Sequence, residues 1–286
     1  MQNLALLRNL LFTPADKPER FGKAAAVGAD GAVLDLEDGV GLPAKEAARK
    51  AALRFFETPF TAPAGFIWAL RLSHVATEDG LKDLLAFRSA THRPSIVVLP
   101  KTESVTEVEI AVRHLQTGAH AAPRIIATIE TGRGLGAAEA IARHPAVDAI
   151  AFGGADLAAD LHASLAWEPM LFARSRIVQA AAAAGIAAFD VPFLDIHDVA
   201  GLRKETEAAK ALGYSCKLAI HPAQIAPINA VFTPNSNELA RAERIVAAFN
   251  QARGGACQVD GRMVDVPVVK AAQRIVALGL LPGVDP

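Results

Sequence analysis

The sequence predicts an α/β fold, a (β/α)₈ TIM barrel followed by a small helix–hairpin–helix extension. Eight short apolar runs recur along the chain, and a stretch with helical periodicity follows each of them. Seven intervals separate Leu10 in the first run from Lys217 in the eighth. They average about 30 residues, the length of one strand–helix unit. The 286 residues, of which 52% are hydrophobic, suffice for one barrel with a large core.

The eight apolar runs define the predicted strands. They are residues 9–13, 32–36, 66–70, 95–99, 125–129, 149–155, 186–191 and 217–220. Nearly continuous apolar runs are typical of parallel strands that are covered on both faces. An open doubly wound sheet is the alternative fold. That fold requires a glycine-rich phosphate loop after the first strand, and the sequence there, LFTPADKPERF, has none.

The composition changes after residue 232. A cluster of turn-forming residues at 233–237 precedes a predicted helix over 238–251, which Ser236 or Asn237 would cap. Asp260-Gly261 then predicts a tight hairpin, and a last helix is expected from Pro267 to about residue 278. We therefore predict a barrel over residues 1–232, and an extension over 233–286 that packs on the barrel or on a neighbouring subunit.

Charge and cysteine content exclude several classes of protein. The net charge of −1 gives no reason to expect a nucleic-acid or membrane-surface binder. Two cysteines, Cys216 and Cys257, with no CxxC pair, indicate a reducing, cytoplasmic location without structural zinc. The apolar N-terminal stretch is interrupted by Arg8 and is too short for a signal peptide or membrane span.

The strongest chemical signal is a pair of carboxylates. Glu130 follows the fifth apolar run and Asp156 the sixth, so both would lie where neighbouring parallel strands end. In this barrel those ends form the active-site face. Paired carboxylate oxygens suit Mg²⁺ or Mn²⁺, although Asp156 could instead cap the next helix. The glycines Gly153 and Gly154 let backbone N–H groups approach a ligand closely, so an anionic substrate carboxylate could bind beside Asp156, at Gly154 and Ala155.

Charged residues end other strands. Arg71 could bind a carboxylate or stabilise an enolate oxygen, or could simply pair with Glu37 or Asp38. Those two acids could form a turn, or could orient Arg71, Lys101 or a metal-bound water. Lys101 could form a Schiff base, but the surrounding acids favour a charged ammonium, which cannot attack a carbonyl.

Other polar residues have two readings. Arg20 and Lys23 follow the first strand and either form a solvated helix face or contact the phosphates of a nucleotide-bearing substrate. His221 is either catalytic or a buried, hydrogen-bonded histidine. Asp35 lies inside the second strand, which favours a structural role.

Eight segments, in this order and at these spacings, resemble the citrate lyase β-subunit-like branch of the HpcH/HpaI aldolase superfamily, the CoA-ester lyases. They are LLFTPADKPERF, GADGAVLDLEDGV, the arginine of LRLS, LPKTES, IETGRGL, FGGADLAADL, KLAIHPAQI and DGRMVDVP. The resemblance implies a barrel of the phosphoenolpyruvate/pyruvate type and a homotrimer or hexamer. It implies that Glu130 and Asp156 bind Mg²⁺ and that Arg71 contacts the substrate at the scissile bond.

The resemblance adds roles that spacing does not supply. It implies that Asp265, in the DGRMVDVP segment, enters the active site of a neighbouring subunit as the catalytic acid or base. It also implies that the first segment contacts CoA, which favours Arg20 and Lys23 as CoA-binding residues. Two departures concern the acyl group: Ala155 stands where many members carry glutamate, and Leu72-Ser73 follow Arg71 where Val-Asn is common.

The expected function is therefore a Mg²⁺-dependent CoA-ester lyase. It would cleave or form the C–C bond of a β-hydroxyacyl thioester such as citramalyl-CoA, malyl-CoA or a citryl thioester, giving acetyl-CoA and an oxo acid. One alternative is a class II pyruvate aldolase that acts on free hydroxy-oxo acids. Two others are a citrate lyase β subunit that acts on an acyl carrier protein, and a non-catalytic CoA-binding paralogue.

Overall fold

A computed structural model describes residues 3–58, 62–118 and 121–280. Eight parallel strands form a closed barrel in sequence order, and β1 pairs with β8 to complete it. The strands are β1 (Asn9–Pro14), β2 (Gly31–Asp35), β3 (Ile67–Arg71), β4 (Ile96–Leu99), β5 (Arg124–Ile129), β6 (Val147–Phe152), β7 (Ala187–Asp190) and β8 (Cys216–Ala219). The predicted (β/α)₈ fold is confirmed.

Helices alternate with the strands, as a parallel barrel requires. They are α1 (Phe21–Ala26), α2 (Lys45–Glu57), α3 (Glu78–Arg88), α4 (Val105–Leu115), α5 (Gly132–Ala142), α6 (Gly154–Asp160), α7 (Trp167–Ala184), α8 (Val199–Leu212) and α9 (Ile225–Phe232). Local signals set their ends. Ser104 and Glu107 form a capping box at the start of α4, and Gly185 ends α7 in the left-handed conformation. Within the described part of the chain, no helix is long and apolar enough to span a membrane.

Side chains fill the barrel interior. Inward-facing residues alternate along each strand, for example Val33, Ala69 and Phe189, and they form one buried apolar cluster. Leu4 and Leu7, from a short turn before β1, belong to the same cluster and have about 1% of their surface exposed. A second, larger cluster lies between the strands and the surrounding helices. Polar side chains of the inward rows therefore collect at the C-terminal ends of the strands.

The strand bounds differ from the prediction at one informative place. The sixth strand was expected over residues 149–155, but β6 ends at Phe152 and α6 begins at Gly154. Gly154, Ala155 and Asp156 therefore belong to the first turn of a helix. Asp156 does not cap it, because Gly153 holds the N-cap position without a side-chain hydrogen bond.

The chain divides into two compact units, Met1–Ile228 and Asn229–Pro286. In the second unit, α10 (Ser236–Gln251) precedes an antiparallel hairpin of β9 (Cys257–Val259) and β10 (Arg262–Val264), and α11 (Val266–Gly279) follows. The order helix, hairpin, helix is as predicted. The cap of α10 is Asn235, rather than Ser236 or Asn237. How this extension packs stays a prediction, and its last residues, 281–286, lie outside the described chain.

Candidate active site

A cavity of about 400 Å³ opens at the C-terminal ends of the barrel strands. It continues the inward-facing rows, so Phe12, Arg71, Thr128 and Val191 line it directly above the packed interior. Its charged lining residues are Asp35, Asp38, Arg71, Glu130 and Asp156. A concave site with a few convergent polar groups is the usual form of a small-molecule site.

Glu130 lies directly after β5 and is held from two sides. The backbone N–H of Lys101 donates a 2.5 Å hydrogen bond to its Oε1. On the other side, a Cβ added to Gly153 would lie 2.4 Å from the Glu130 Cβ and 2.6 Å from its Oε2. Position 153 must therefore be glycine for this carboxyl group to occupy its place. Only 3% of the Glu130 surface is exposed.

Burial dominates the electrostatics of Glu130. It raises the pKa of this carboxyl to about 8, against the hydrogen bond and charge of Lys101, and Asp156 and Glu37 raise it further. The positive charge near this buried carboxylate is not sufficient to stabilise its charged form. This is the environment expected of a site that binds a cation.

Asp156 supplies the second carboxylate, from the first turn of α6. Its side chain is 46% exposed and lies on the same cavity as Glu130. Across the described residues, no group of three or more His, Cys, Asp and Glu side chains has metal-binding geometry. Mg²⁺ commonly binds one or two carboxylates and takes its other oxygens from water and substrate. The donor set of Glu130 and Asp156 therefore fits Mg²⁺.

Lys101 joins the acidic residues of the site. Its Nζ donates to Glu37 Oε1, donates to Asp38 Oδ2 at 3.0 Å, and lies 3.6 Å from Asp156 Oδ2. Burial lowers its pKa, but the bond to Glu37 and the charge of Glu130 outweigh burial and raise the pKa well above its ordinary value. The amine is therefore held charged, which disfavours a Schiff base. The backbone φ of Lys101 is 48°, in the left-handed region, and this conformation aims its N–H at Glu130.

Arg71 makes a two-point contact that the sequence did not predict. Its Nε and Nη2 donate to the two oxygens of Asp35 at 2.6 and 2.7 Å, and its Nη1 lies 3.0 Å from Glu37 Oε2. The guanidinium also stacks over the Phe12 ring, 4.6 Å from its centroid. These contacts occupy three of the five guanidinium N–H groups, so two remain for a substrate oxygen. The predicted pairing with Glu37 is present, and the predicted pairing with Asp38 is not.

Asp35 has the structural role that the sequence suggested. It accepts hydrogen bonds from the backbone N–H groups of Glu37 and Gly39 as well as from Arg71. A Cβ on Gly39 would lie 2.3 Å from Asp35 Oδ2, so this turn also requires glycine. The β2–β3 register places Asp35 directly beside Arg71. That register, together with the shared inward direction, is the signal by which the pair could have been found.

The remaining predicted residues lie in several places. Ala155 lines the cavity, and Gly154 is the adjoining buried residue at the start of α6. Arg20 and Lys23 are exposed in the segment that follows β1. Asp265 caps α11 by accepting from the Val268 N–H. These positions leave the substrate, CoA and acid–base assignments as predictions.

The structure rules out one of the two interpretations of His221 and places a further strand-end acid, Asp190, outside the cavity. His221 is exposed rather than buried, and its Nδ1 accepts the N–H of Ala223 in a tight turn. Asp190 points away from the cavity, where it pairs with Arg174 at 3.2 Å and Lys217 at 2.6 Å. Asp190 and Lys217 belong to the outward-facing rows of β7 and β8, which explains their direction.

A comparison with known protein families bears on this site. The model described as HpcH/HpaI aldolase/citrate lyase matches residues 8–222, which contain Arg71, Glu130 and Asp156. The chain belongs to the HpcH/HpaI aldolase/citrate lyase family. The predicted enzyme class, a carbon–carbon lyase of the aldolase/citrate lyase type, is thereby confirmed at the level of the family.

Relatives within the HpcH/HpaI family match along nearly the whole chain. A citrate lyase subunit beta-like protein of Mycobacterium tuberculosis is 39% identical over 274 residues, covering 93% of each chain. Human mitochondrial citramalyl-CoA lyase is 32% identical over 290 residues, covering 95% of this chain and 85% of the human one. The crystal structure of M. tuberculosis CitE with magnesium, acetoacetate and coenzyme A superposes with a TM-score of 0.77. That match has 36% identity and covers 94% of this chain and 97% of the other.

Proposed function

We propose that this protein is a Mg²⁺-dependent CoA-ester lyase. Its reaction would cleave the C–C bond of a β-hydroxyacyl thioester to give acetyl-CoA and a 2-oxo acid, or would form that bond from them. The supporting observation is the shared cavity, which holds the buried Glu130 together with Asp156 on one side, with Lys101 as the cation beside them, and an oriented arginine on the other. Relatives named for citramalyl-CoA and citrate, and a relative with bound magnesium and coenzyme A, support the same assignment.

Glu130 and Asp156 would hold the metal and, through it, the end of the substrate that becomes the oxo acid. Bound there, Mg²⁺ supplies Lewis-acid polarisation of the hydroxyl and carboxylate oxygens of that fragment. The N–H of Lys101 fixes Glu130 Oε1. Lys101 Nζ, bound to Glu37 and Asp38, limits the repulsion among the carboxylates before the metal arrives.

Arg71 would stabilise the thioester half. When the hydroxyl proton passes to solvent, the hydroxyl-bearing carbon becomes the carbonyl of the oxo acid, the C–C bond breaks, and its electron pair moves into the thioester as an enolate. The two unoccupied N–H groups of Arg71 can then donate to the enolate oxygen, while Asp35 and Glu37 hold the guanidinium in place. A preformed charged donor of this kind typically lowers a barrier by about 3–4 kcal/mol.

Asp265 would complete the reaction by giving a proton to the enolate carbon, which yields the acetyl thioester. In the synthetic direction the same carboxylate removes that proton. This Asp265 would come from a neighbouring subunit of a homotrimer or hexamer. Arg20 and Lys23, exposed after β1, would contact the phosphates of CoA.

One assay tests the proposal directly. Purified protein is incubated with citramalyl-CoA, malyl-CoA and citryl-CoA, and with the free hydroxy acids, and the oxo acid and acetyl-CoA are quantified with and without EDTA. Cleavage of a thioester that EDTA abolishes and Mg²⁺ restores is expected. Cleavage of free acids alone would identify a class II aldolase. CoA binding without turnover would identify a non-catalytic paralogue.

A further inference from the structure

One wall of the cavity differs in chemistry from the rest. The loops after β7 and β8 contribute the side chains of Val191, Pro192, Leu194 and Ile220, which are all apolar. We refer to these four residues as the apolar wall. Leu194 and Ile220 are 56% and 42% exposed, so a substrate in the cavity would cover apolar surface that now faces solvent.

Gln224 holds the apolar wall together from behind. Its Oε1 accepts the backbone N–H of Ile220 at 2.9 Å and that of His221 at 3.3 Å. Its Nε2 donates to the carbonyl of Phe193 at 2.6 Å, which ties the β8 loop to the β7 loop. Gln224 is 2% exposed, so these bonds are made away from bulk water, where a lost partner is costly.

Several groups near the apolar wall that could otherwise bind an anion are not available to do so. The N–H groups of Ile220 and His221 are already bonded to Gln224. Position 192 is proline and has no N–H. Lys217 Nζ points outward and is shared by Asp190, Glu205 and the carbonyl of Val191. Of the residues described as lining the cavity, Arg71 alone has a basic side chain. It belongs to β3, which lies four strands from β7 and therefore on the far side of the barrel from the apolar wall.

We propose that Gln224 is a positioning residue that makes the apolar wall select a methyl-sized, uncharged substituent on the hydroxyl-bearing carbon of the substrate. This inference rests on the proposed function. With the oxo-acid oxygens directed to Glu130 and Asp156 on the β5–β6 side and the enolate directed to Arg71, the remaining substituent of that carbon faces β7 and β8. A carboxymethyl group there would lose its water and meet no positive charge.

The wild-type protein should therefore cleave citramalyl-CoA, which carries a methyl group, at least about tenfold better in kcat/KM than citryl-CoA, which carries a carboxymethyl group. Gln224→Met keeps the length of the side chain but removes both hydrogen-bonding functions. We expect it to reduce that preference to less than about threefold, chiefly through a higher KM for citramalyl-CoA. Gln179→Met, at an exposed position on α7, is the matched control and should leave the preference unchanged.

A second variant protects the test against misfolding. Leu194 is mostly exposed, so Leu194→Arg should fold, and it should raise kcat/KM for citryl-CoA relative to citramalyl-CoA by at least about tenfold. Equal preference in the wild type would overturn the inference. An equal loss for both thioesters in Gln224→Met, with no reversal in Leu194→Arg, would also overturn it.

Calorimetric binding of pyruvate and oxaloacetate in Mg²⁺ separates this inference from the proposed function. Tighter binding of pyruvate to the wild type, lost in Gln224→Met, would support the apolar wall even if no thioester were cleaved, and the proposed function alone would then fail. Cleavage of thioesters, together with tighter binding of oxaloacetate than of pyruvate, would support the proposed function and contradict the selectivity assigned to the apolar wall.

Discussion

The backbone of Lys101 and the carboxyl of Glu130 form a fixed pair, since the left-handed conformation of Lys101 directs its N–H to Oε1 at 2.5 Å. Gly153 closes the opposite side of the same carboxyl group. The position of Glu130 is therefore set by backbone atoms, which move less than side chains do. A carboxylate whose position is fixed in this way is preorganised to bind a cation.

Gly153→Ala should weaken Mg²⁺ binding by at least about tenfold, because the new methyl group would overlap Glu130 and displace its carboxyl. Titration calorimetry with MgCl₂ measures the affinity directly. Gly136→Ala is the control, since a Cβ there has open space within α5 and alanine favours a helix. Equal affinities in the two variants would show that Gly153 does not position Glu130.

Glu130→Gln should abolish Mg²⁺ binding and yet stabilise the metal-free protein at high pH. The pKa of Glu130 is about 8 in the folded chain and near 4.5 in the unfolded one, so the folded state holds the extra proton between these values. Stability that depends on this group is present at low pH and is lost as the pH rises toward 8. We expect the variant to gain on the order of 1–3 kcal/mol over the wild type at pH 9, and little at pH 4.

Thermal unfolding in EDTA across that pH range tests the Glu130 prediction. Glu139→Gln serves as the control, because a hydrogen bond from Arg143 keeps the pKa of this exposed carboxyl below its ordinary value. The Tm difference between Glu130→Gln and wild type should widen with pH, and the control should not show this trend. A constant difference would mean that Glu130 carries its charge at neutral pH without a metal.

Arg71→Lys should reduce kcat by about 10²–10³ while the fold is retained. A lysine preserves the charge near Asp35 but cannot contact both of its oxygens and still donate to a substrate. Steady-state kinetics with the best thioester substrate provides the measurement. Arg113→Lys changes the same chemistry on the surface of α4 and should have no effect. A rise in KM with kcat unchanged would place Arg71 in substrate binding rather than in stabilising the enolate.

Asp265→Asn should depress turnover at least about 100-fold and leave stability within about 0.5 kcal/mol, because asparagine caps a helix as well as aspartate does. The substitution thus separates the cap of α11 from proton transfer. Asp198→Asn, at the cap of α8, is the matched control and should keep full activity. Unchanged turnover in Asp265→Asn would remove it from the reaction.

The sequence predicted the barrel well because each strand is a buried apolar run, and it predicted the cavity because parallel strands end on one face. Glu130 and Asp156 were found by that rule alone. Asp35 was recognised as structural, but its partner Arg71 follows from the β2–β3 register, which apolar runs do not specify. Gln224 carries no signal of its own in the sequence, since its bonds join two loops that only the closed barrel brings together.

The sequence also did not reveal whether a side chain at a strand end points into the cavity or toward the helices. Asp190 lies near the end of the seventh apolar run, yet it faces the helices and pairs with buried Lys217. One residue of difference in where a strand ends reverses the side that its last residue faces. Charge at a strand end therefore indicates the active-site face reliably only when the alternation along that strand is also known.

Leu4 and Leu7 help to close the end of the barrel opposite the cavity, and this has a kinetic consequence. They belong to the apolar cluster that fills the N-terminal end of the barrel, so within the described chain the reacting molecules exchange with solvent at the opposite end. Both products of a cleavage must then depart by the route through which the substrate came. In the proposed cleavage, the fragment bound deeper would be retained until the outer one has left, so the two products would be released in sequence and the outer product would compete with new substrate for the same opening.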